Sequence, residues 1–373
     1  MKKYSVMILL LLVCLISCSE EKEAVSEVNS VQDEVIIPET ETPPPTAPSV
    51  PVEIEETEDT PKPENAEYSR TTGLPCTPEE RERRPIAVMY NNLKLSYPQI
   101  GISKADIVYE CNAEGGVTRL LAIFSDWEKL SPIGSIRSAR DYYVSLSESH
   151  GAIFVNAGGS PGAYEKLKGE KVDYIDGVNM YNIPKNTFYR DNDRIKQNGY
   201  EHSMMTDGTR LMAAVKKLGY LVTYKDGFTA PYLFGEEAEA LTGGSAMTMT
   251  LPHSNYITVR FDYDAESGKY LKYSFGESHI DGETSEQLTF DNVIVLFVKE
   301  TVLDSAGRLK LDLTAGGSGY FMRDGKYIDI KWTRGSNNSP FVLTAEGEEI
   351  TLKPGKTHIT LFNKNRSNKV SIK

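Results

Sequence analysis

The stretch that most limits what this chain can fold into is an acidic, proline-rich segment near the N-terminus. Residues 19–67 hold 15 acidic and two basic residues together with eight prolines. Such a composition cannot bury enough apolar surface to offset the entropy of ordering the chain, and its prolines and like charges keep it extended. We therefore predict that residues 18–67 form a disordered tether and that the fold begins at about residue 68.

The residues before the tether have the pattern of an export signal. Lys2 and Lys3 precede an apolar run at 6–16 that is too short to span a bilayer comfortably. The run ends in Ser17-Cys18, which resembles the bacterial lipoprotein cleavage box. This predicts removal of residues 1–17, diacylation of Cys18, and anchoring to the extracytoplasmic face of the cell membrane through the diacylglyceryl group. An uncleaved anchor or an ordinary signal are the alternatives, and both also place the folded part outside the cytoplasm.

The net charge of −12 belongs to the tether, because residues 68–373 carry a net charge of only −1. The folded part has no basic stripe, P-loop or dinucleotide-binding glycine fingerprint, so we expect no nucleic acid partner and no cofactor. Its histidines lack the spacing of metal ligands, so we also expect no metal. Among them, His202 is interpreted as a hydrogen-bonded loop residue rather than a general base.

Apolar periodicity predicts an α+β protein in two parts. In the first, 68–228, strands are expected at 86–90, 106–111 and 117–124, and a helix capped by Thr206 or Asp207 is expected to end at Gly219. This part is mixed α/β. The second part, 246–373, alternates apolar and polar residues over short strands and carries an Asp324-Gly325 hairpin turn, which predicts a mostly β domain. Its Trp332 is interpreted as core rather than as a sugar-binding platform.

The segment 134–167 combines two predicted helix starts with two arginines. Ser138 and Ser160 stand where helix caps belong, and Pro161 fits the first helical position. Helix N-termini leave N–H groups unpaired and favour anions, so together with Arg137 and Arg140 they predict an anion-binding corner.

Four runs in the first part resemble the YerB-type lipoproteins of Gram-positive bacteria. They are RPIAVMYNN (84–92), GISKADIVYECNAEGGVTRLLAIF (101–124), IGSIRSARDYYV (133–144) and AIFVNAGGSPGAY (152–164). The resemblance extends into the second part and covers nearly all of 70–362. It implies an envelope lipoprotein with two domains of unknown function, the first mixed and the second β-rich, and it implies no activity. The polar positions that match the family are Asn91, Glu110, Glu114, Arg119, Arg137, Ser138, Arg140, Asp141, Ser160 and His202.

Two enzymatic alternatives remain beside a binding role. A cell-wall (peptidoglycan) hydrolase needs two carboxylates a few ångströms apart, which Glu110, Glu114 and Asp141 or the base His202 could supply. The run 158–162 also satisfies G-x-S-x-G, with Asp176, Asp193 and His202 following in hydrolase order. However, Pro161 has no N–H to offer an oxyanion, so Ser160 is interpreted as a helix cap.

Cys76 and Cys111 could pair in an oxidising compartment, which would contribute about 3–4 kcal/mol in the chain-entropy model. Two separate thiols are the alternative.

The leading hypothesis is an envelope binding or scaffolding module for an anionic or carboxylate-bearing ligand. Peptidoglycan peptides and another envelope protein fit this description equally. The candidate ligand-binding residues are Arg119, Arg137, Ser138, Arg140, Asn156, Gly158, Gly159, Ser160 and His202. A hydrolase is expected to keep its carboxylates in an open cleft, whereas a scaffold is expected to have them buried and saturated by arginine.

Overall fold

The computed structural model describes residues 67–235 and 241–373. The predictions for the signal, for Cys18 and for the tether up to residue 66 lie outside the described residues. No helix in the described ranges is both long and apolar enough to cross a bilayer.

The helices and strands of the described residues follow in chain order. The α-helices are α1 (Pro78–Glu82), α2 (Asp141–Ser149), α3 (Pro161–Gly169), α4 (Asn192–Asn198) and α5 (Gly208–Leu218). The strands before residue 236 are β1 (Glu67–Tyr68), β2 (Pro75–Cys76), β3 (Ile86–Asn91), β4 (Ile107–Asn112), β5 (Thr118–Phe124), β6 (Ile133–Gly134), β7 (Ile153–Asn156), β8 (Tyr174–Asp176), β9 (Tyr189–Arg190), β10 (Met204–Thr206) and β11 (Leu233–Phe234). The strands after residue 240 are β12 (Gly244–Ser245), β13 (Thr248–Pro252), β14 (Thr258–Asp264), β15 (Lys269–Ser274), β16 (Glu277–Ser278), β17 (Thr289–Phe290), β18 (Asn292–Val302), β19 (Leu309–Asp312), β20 (Gly317–Arg323), β21 (Lys326–Thr333), β22 (Val342–Ala345), β23 (Glu348–Glu349), β24 (Thr351–Leu352), β25 (Thr357–Asn363) and β26 (Ser371–Ile372). Short 3₁₀ helices include Glu114–Gly116 and Tyr200–His202.

One large mixed sheet takes strands from both parts of the chain. Its main path runs β23, β22, β21, β20, β18, β25, β4, β5, β3, β7 and β8. The junction is β25, which pairs in parallel with β18 on one side and with β4 on the other. The paired residues across the junction run from Thr357 opposite Ile107 to Leu361 opposite Cys111. The two predicted parts are therefore joined through shared backbone hydrogen bonds, and all the described residues belong to one compact unit.

Both faces of the large sheet are buried at its central strands β3, β4 and β5, in which every residue is buried. Val88 and Val108 belong to a core cluster that also includes Leu251 and Phe261 of a second, six-stranded antiparallel sheet. That sheet is built from β13 to β17 and β26. The neighbouring residues Ala87 and Ile107 belong to a second cluster that contains apolar residues of α2 and α3. The large sheet is thus the middle layer of the fold.

The predicted α+β class, with a strand-rich C-terminal part, is confirmed. Asp207 caps α5 by accepting a hydrogen bond from the Arg210 N–H, and Gly219 ends that helix, as predicted. Asp324 and Gly325 join β20 to β21 with positive φ angles of 49° and 70°, the combination that a type I′ hairpin turn requires. Trp332 is 1% exposed and lies in the core, as interpreted from the sequence.

The predicted capping role of Ser138 is wrong. Helix α2 begins at Asp141 with Arg140 in the cap position, and no side chain caps it. The Ser138 hydroxyl instead donates to the backbone carbonyl of Ala157 (3.0 Å). The arginine therefore occupies the place that the sequence pattern gave to the serine, because the chain stays extended for two residues longer.

Candidate functional site

Glu110 lies at the centre of the large sheet, where no side chain reaches solvent. Every residue of β4 is buried, and Glu110 points to the same face as Val108 because side chains alternate along a strand. That face packs against the six-stranded sheet, which carries Lys272 on β15. Strand β15 alternates partly and fully buried positions, and the alternation directs Lys272 inward beside Tyr270 and Ser274.

The Glu110 carboxylate is paired on both of its oxygens. Lys272 Nζ lies 3.0 Å from Oε2, and both side chains have 0% exposure. Thr118 Oγ1 donates to Oε1 (2.7 Å), as does Asn92 Nδ2 (3.1 Å). His358 Nε2 lies 3.4 Å from Oε2. An ionised carboxylate can remain buried only with such compensation.

The contacts of Lys272 extend this pair into a buried polar network. Its Nζ lies 3.0 Å from Ser274 Oγ and 3.3 Å from His279 Nδ1. His279 Nε2 in turn lies 2.8 Å from Gln99 Oε1, and Gln99 Nε2 donates to Asn92 Oδ1 (3.1 Å). The chain of contacts thus ends at Asn92, which itself donates to Glu110. The Glu110 network is defined here as Asn92, Gln99, Glu110, Thr118, Lys272, Ser274, His279 and His358.

The charges in the network follow from burial and pairing. Burial by itself raises the pKa of Glu110, but Lys272 and then His358 hold it well below its usual range. Burial lowers the pKa of Lys272, and the Glu110 carboxylate partly offsets that effect. Burial also lowers the pKa of His358, and of the nearby His253, to about 4. At neutral pH the network therefore contains one ion pair surrounded by neutral imidazoles.

A second charged group, which we name the arginine corner, consists of Glu114, Arg119 and Arg140. Arg119 Nη2 lies 2.7 Å from Glu114 Oε1, Arg140 Nε donates to Oε2 (3.0 Å), and Arg140 Nη2 also contacts Oε1. The arginine side chains are 8% and 9% exposed, whereas that of Glu114 is 26% exposed. Burial, and then the neighbouring Arg140, lower the pKa of Arg119 to about 10. The Glu114 pKa is lowered, because the two arginines outweigh its burial.

Arg137 and His202 lie outside the arginine corner and have partners of their own. Arg137 Nη2 pairs with the exposed Glu201 carboxylate at 3.0 Å. His202 is buried, and its Nδ1 lies 2.6 Å from Asn91 Nδ2. Burial, and then the charge of Arg137, lower the pKa of His202. This pairing agrees with the interpretation of His202 as a hydrogen-bonded loop residue.

Three N–H groups of the loop at 156–160 donate hydrogen bonds to acceptors elsewhere in the protein. Ala157 N donates to the carbonyl of Arg137 (3.0 Å), and Ser160 N donates to that of Ala139 (3.2 Å). Gly158 N donates to the buried carboxylate of Asp176 (2.8 Å). Gly159 forms a parallel bridge with Ala139, and Asn156 Nδ2 donates to the Gly158 carbonyl (2.8 Å). The N–H groups of Ala157, Gly158 and Ser160 therefore have acceptors within the protein, and two of them hold the extended segment that carries Arg137 and Arg140.

The remaining residues singled out from the sequence are a helix cap, the first residue of a helix and two thiols. Ser160 caps α3 by accepting from the Ala163 N–H (3.2 Å), so its hydroxyl is used as the cap interpretation expects. Asp141 opens α2, and partial burial raises the pKa of its carboxyl. Cys76 and Cys111 are free thiols, the second of them buried within β4, so the disulfide considered from the sequence is not formed. The described residues hold no group of three or more histidine, cysteine or acidic side chains arranged for a metal ion.

A cavity of about 910 Å³ lies apart from both charged groups. Its wall includes Arg70, Tyr232, Phe234, Phe321 and Ile350, none of which was singled out by the sequence.

Lys272 is the residue that sequence reasoning missed. The signal was present, because the alternation that buries Tyr270 on β15 also places Lys272 on the buried face. A lysine at an inward position of a strand needs a buried carboxylate partner. Glu110, inside the apolar strand β4, is such a carboxylate, although only the fold brings the two together.

Comparison with known protein families identifies both parts of the chain. The N-terminal domain of the family described as "Protein of unknown function (DUF3048)" matches residues 71–221, and its C-terminal domain matches residues 247–359. The chain belongs to this family. The resemblance to YerB-type lipoproteins is thereby confirmed, and the Glu110 network joins the family's two domains, since Glu110 lies in the first and Lys272 in the second.

A curated relative of the chain is named as a lipoprotein. The chain is 33% identical over 294 residues to "Putative lipoprotein YerB" of Bacillus subtilis (strain 168), covering 78% of this chain and 84% of that protein. It is also similar to the crystal structure of the YerB protein from Bacillus subtilis, with a TM-score of 0.72 and 31% identity. That match covers 82% of this chain and 99% of the crystallised one.

We expect Lys272→Met to lower the free energy of unfolding by about 3–5 kcal/mol, because the buried Glu110 carboxylate loses its counter-charge. The double variant Glu110→Gln, Lys272→Met is expected to be more stable than Lys272→Met alone, since neither charge is left unpaired. Urea unfolding followed by tryptophan fluorescence measures both. Lys94→Met, which breaks an exposed ion pair with Glu277, is the matched control and should have little effect. Equal stability of Lys272→Met and Lys94→Met would contradict a structural role for the buried pair.

Stability is also expected to fall as the pH is lowered from about 6.5 to 4. His253 and His358 have folded pKa values of about 4, below the ordinary value of about 6.5, so the unfolded chain binds more protons in this range. The contribution of the neutral imidazoles is complete above pH 6.5, and its loss is on the order of 3 kcal/mol per histidine at pH 4. Unfolding free energies measured between pH 7.5 and 4.5 test this. His358→Gln should flatten the dependence, and an unchanged slope in that variant would count against His358 as a source.

Proposed function

We propose that this protein is a lipid-anchored envelope lipoprotein whose folded part binds a carboxylate-bearing ligand at the arginine corner. Its anchor is the diacylglyceryl group on Cys18, and the folded part lies on the extracytoplasmic face of the cell membrane. The export signal ending in Ser17-Cys18 and the name of the Bacillus subtilis relative support the anchor.

The observation that carries the binding role is the convergence of two guanidinium groups on one carboxylate near the surface. Arg119 and Arg140 present three nitrogen atoms to Glu114, in the forked geometry by which arginine recognises carboxylates. Their side chains are almost fully buried, so few rotamers remain to be ordered when a ligand binds. A preformed site of this kind suits a carboxylate of an external partner.

The surroundings of Glu110 argue against the alternative of a cell-wall hydrolase. A general acid or base must come within hydrogen-bond reach of its substrate, and Glu110 has no exposed surface. Lys272 and the depressed pKa of Glu110 also hold the carboxyl ionised, which is unsuitable for a general acid. Glu114 is partly exposed, but Arg140 and Arg119 lower its pKa, which is also unsuitable for a general acid.

The ligand class follows from the tether and the corner together. A tether of nearly fifty residues lets the folded part reach envelope components some distance from the membrane. Carboxylates are present there on peptidoglycan peptides and on other envelope proteins. We test peptidoglycan first, because it is available as intact sacculi.

Replacing Cys18 by serine is expected to release the protein from the membrane, because the thiol that carries the lipid is absent. The measurement is the distribution of the full-length chain between membrane and culture medium in its bacterial host, together with incorporation of a labelled fatty acid. Ser17→Ala, which keeps a small residue before the cysteine, is the control and should stay membrane-bound. Labelling that persists in Cys18→Ser would place the lipid elsewhere.

A soluble form lacking residues 1–60 is expected to sediment with purified sacculi without releasing soluble fragments. Arg140→Lys keeps the charge but loses the fork, so we expect binding to weaken at least tenfold. Arg83→Ala, which removes an arginine paired with Asp126 and Glu128 on a different part of the surface, is the control and should bind as the unmodified protein does.

Mass spectrometry of the supernatant separates the alternatives. Fragments that disappear in Glu114→Gln would make this protein a hydrolase. The absence of both fragments and sedimentation would exclude peptidoglycan and direct the search to another envelope protein.

A further inference from the structure

Glu114 occupies the position that an external carboxylate would take in the arginine corner. Its two oxygens accept from Arg119 Nη2 and from Nε and Nη2 of Arg140. Each arginine is also fixed by a bond that does not involve Glu114. Arg119 Nη1 donates to the carbonyl of Ser138 (2.9 Å), and Arg140 Nη1 donates to that of Ala139 (2.6 Å). The two guanidinium groups therefore keep their positions when Glu114 turns away.

The loop that carries Glu114 leaves its side chain room to move. It is a single 3₁₀ turn, Glu114–Gly116, between β4 and β5, in which Gly115 and Gly116 have φ angles of 73° and 75°. A Cβ atom added at Gly115 would meet no atom within 4 Å, so this point of the loop borders open space. The backbone is held, because Ser254 Oγ donates to the Gly116 carbonyl (2.5 Å). With the backbone fixed, uncovering the arginines requires a rotation of the partly exposed Glu114 side chain.

We propose that Glu114 is a resident, displaceable occupant of the arginine corner, and that a ligand binds by replacing its carboxylate with one of its own. This inference rests on the proposed binding role. The displaced Glu114 carboxylate stays beside the bound ligand, where a second negative charge is unfavourable and a hydrogen-bond donor is favourable. The ligand class is therefore a single carboxylate with an N–H group next to it, as at the C-terminus of a peptide.

The test compares affinities for N-acetyl-D-alanyl-D-alanine and for its C-terminal amide. The soluble form lacking residues 1–60 is titrated by NMR at low salt, where screening is weak. Glu114→Gln is expected to bind the peptide acid at least tenfold more tightly than the unmodified protein, because the competing internal carboxylate is gone. The amide should bind neither protein. Glu201→Gln removes a carboxylate that pairs with an arginine outside the corner, Arg137, and should bind as the unmodified protein does.

Two further variants keep the inference open to refutation. Glu114→Asp retains a carboxylate on a shorter stem and should give an intermediate affinity, and it guards against loss of structure in Glu114→Gln. Adding Arg140→Lys to Glu114→Gln should remove the gain. Equal or weaker binding of the acid by Glu114→Gln would overturn the displacement inference.

The sacculus experiment distinguishes the two proposals. If neither protein binds the peptide acid while sedimentation with sacculi persists, the displacement inference and its ligand class are wrong and the binding role stands. If sedimentation is absent as well, both fail.

Discussion

The ion pair between Glu110 and Lys272 is the interaction on which the rest of the structure depends. Both groups have no contact with solvent, and each comes from a different family domain. Removing either partner leaves an unpaired charge in the interior, whereas the intact pair is compensated by Thr118 and Asn92 on one side and by His279 on the other. The pair is stabilising only when the six-stranded sheet and the large sheet dock in the one register that brings Glu110 and Lys272 together. An apolar interface would tolerate sliding more readily.

Carboxylates of the chain itself fill the cationic and N–H sites in which the sequence predicts an external anion. Glu114 occupies the arginine corner, Glu201 pairs with Arg137, and Asp176 accepts from Gly158. These occupants differ in burial. Asp176 is fully buried and holds the loop at 156–160 through its hydrogen bond with Gly158, whereas Glu114 is partly exposed. A fully buried occupant leaves no room for an external anion, whereas both Glu114 and the more exposed Glu201 border solvent. Of these two, only Glu114 is held by two arginines whose side chains are almost fully buried, and this selects the arginine corner from the larger candidate set.

The elements were predictable from the sequence where the signal is local. The strand at Ile86–Asn91, the Asp207 cap of α5 and the Asp324-Gly325 turn depend on periodicity and on the chemistry of a few adjacent residues. The capping role assigned to Ser138 failed, because pairing of this segment with the loop at 156–160 prolongs the extended backbone.

Contacts between segments far apart in the chain could not be predicted from such local signals. His279 and His358 have no metal-ligand spacing along the chain, and the structure places them at the two ends of the buried ion pair, His279 beside Lys272 and His358 beside Glu110. Strand β25 lies near the end of the chain and pairs with β4, about 250 residues earlier, so periodicity predicts both strands and says nothing about their pairing. The arginine corner was predictable only in part. Its residues were singled out individually, but the selection of Glu114 as their partner needed the fold.

The position of Glu114 links the corner to the shared sheet. Its loop follows β4 directly, and β4 is held by β25 from the second family domain. The loop end is fixed again by Ser254, and the last residue of β4, Asn112, donates to Glu300 at 2.9 Å. The arginines therefore come from the first domain, while the backbone that carries their resident carboxylate is positioned by the second. Because β4 pairs with β5, which carries Arg119, the same strand that brings Glu110 to Lys272 also leads into the arginine corner. The corner and the buried ion pair therefore depend on the placement of one strand, β4.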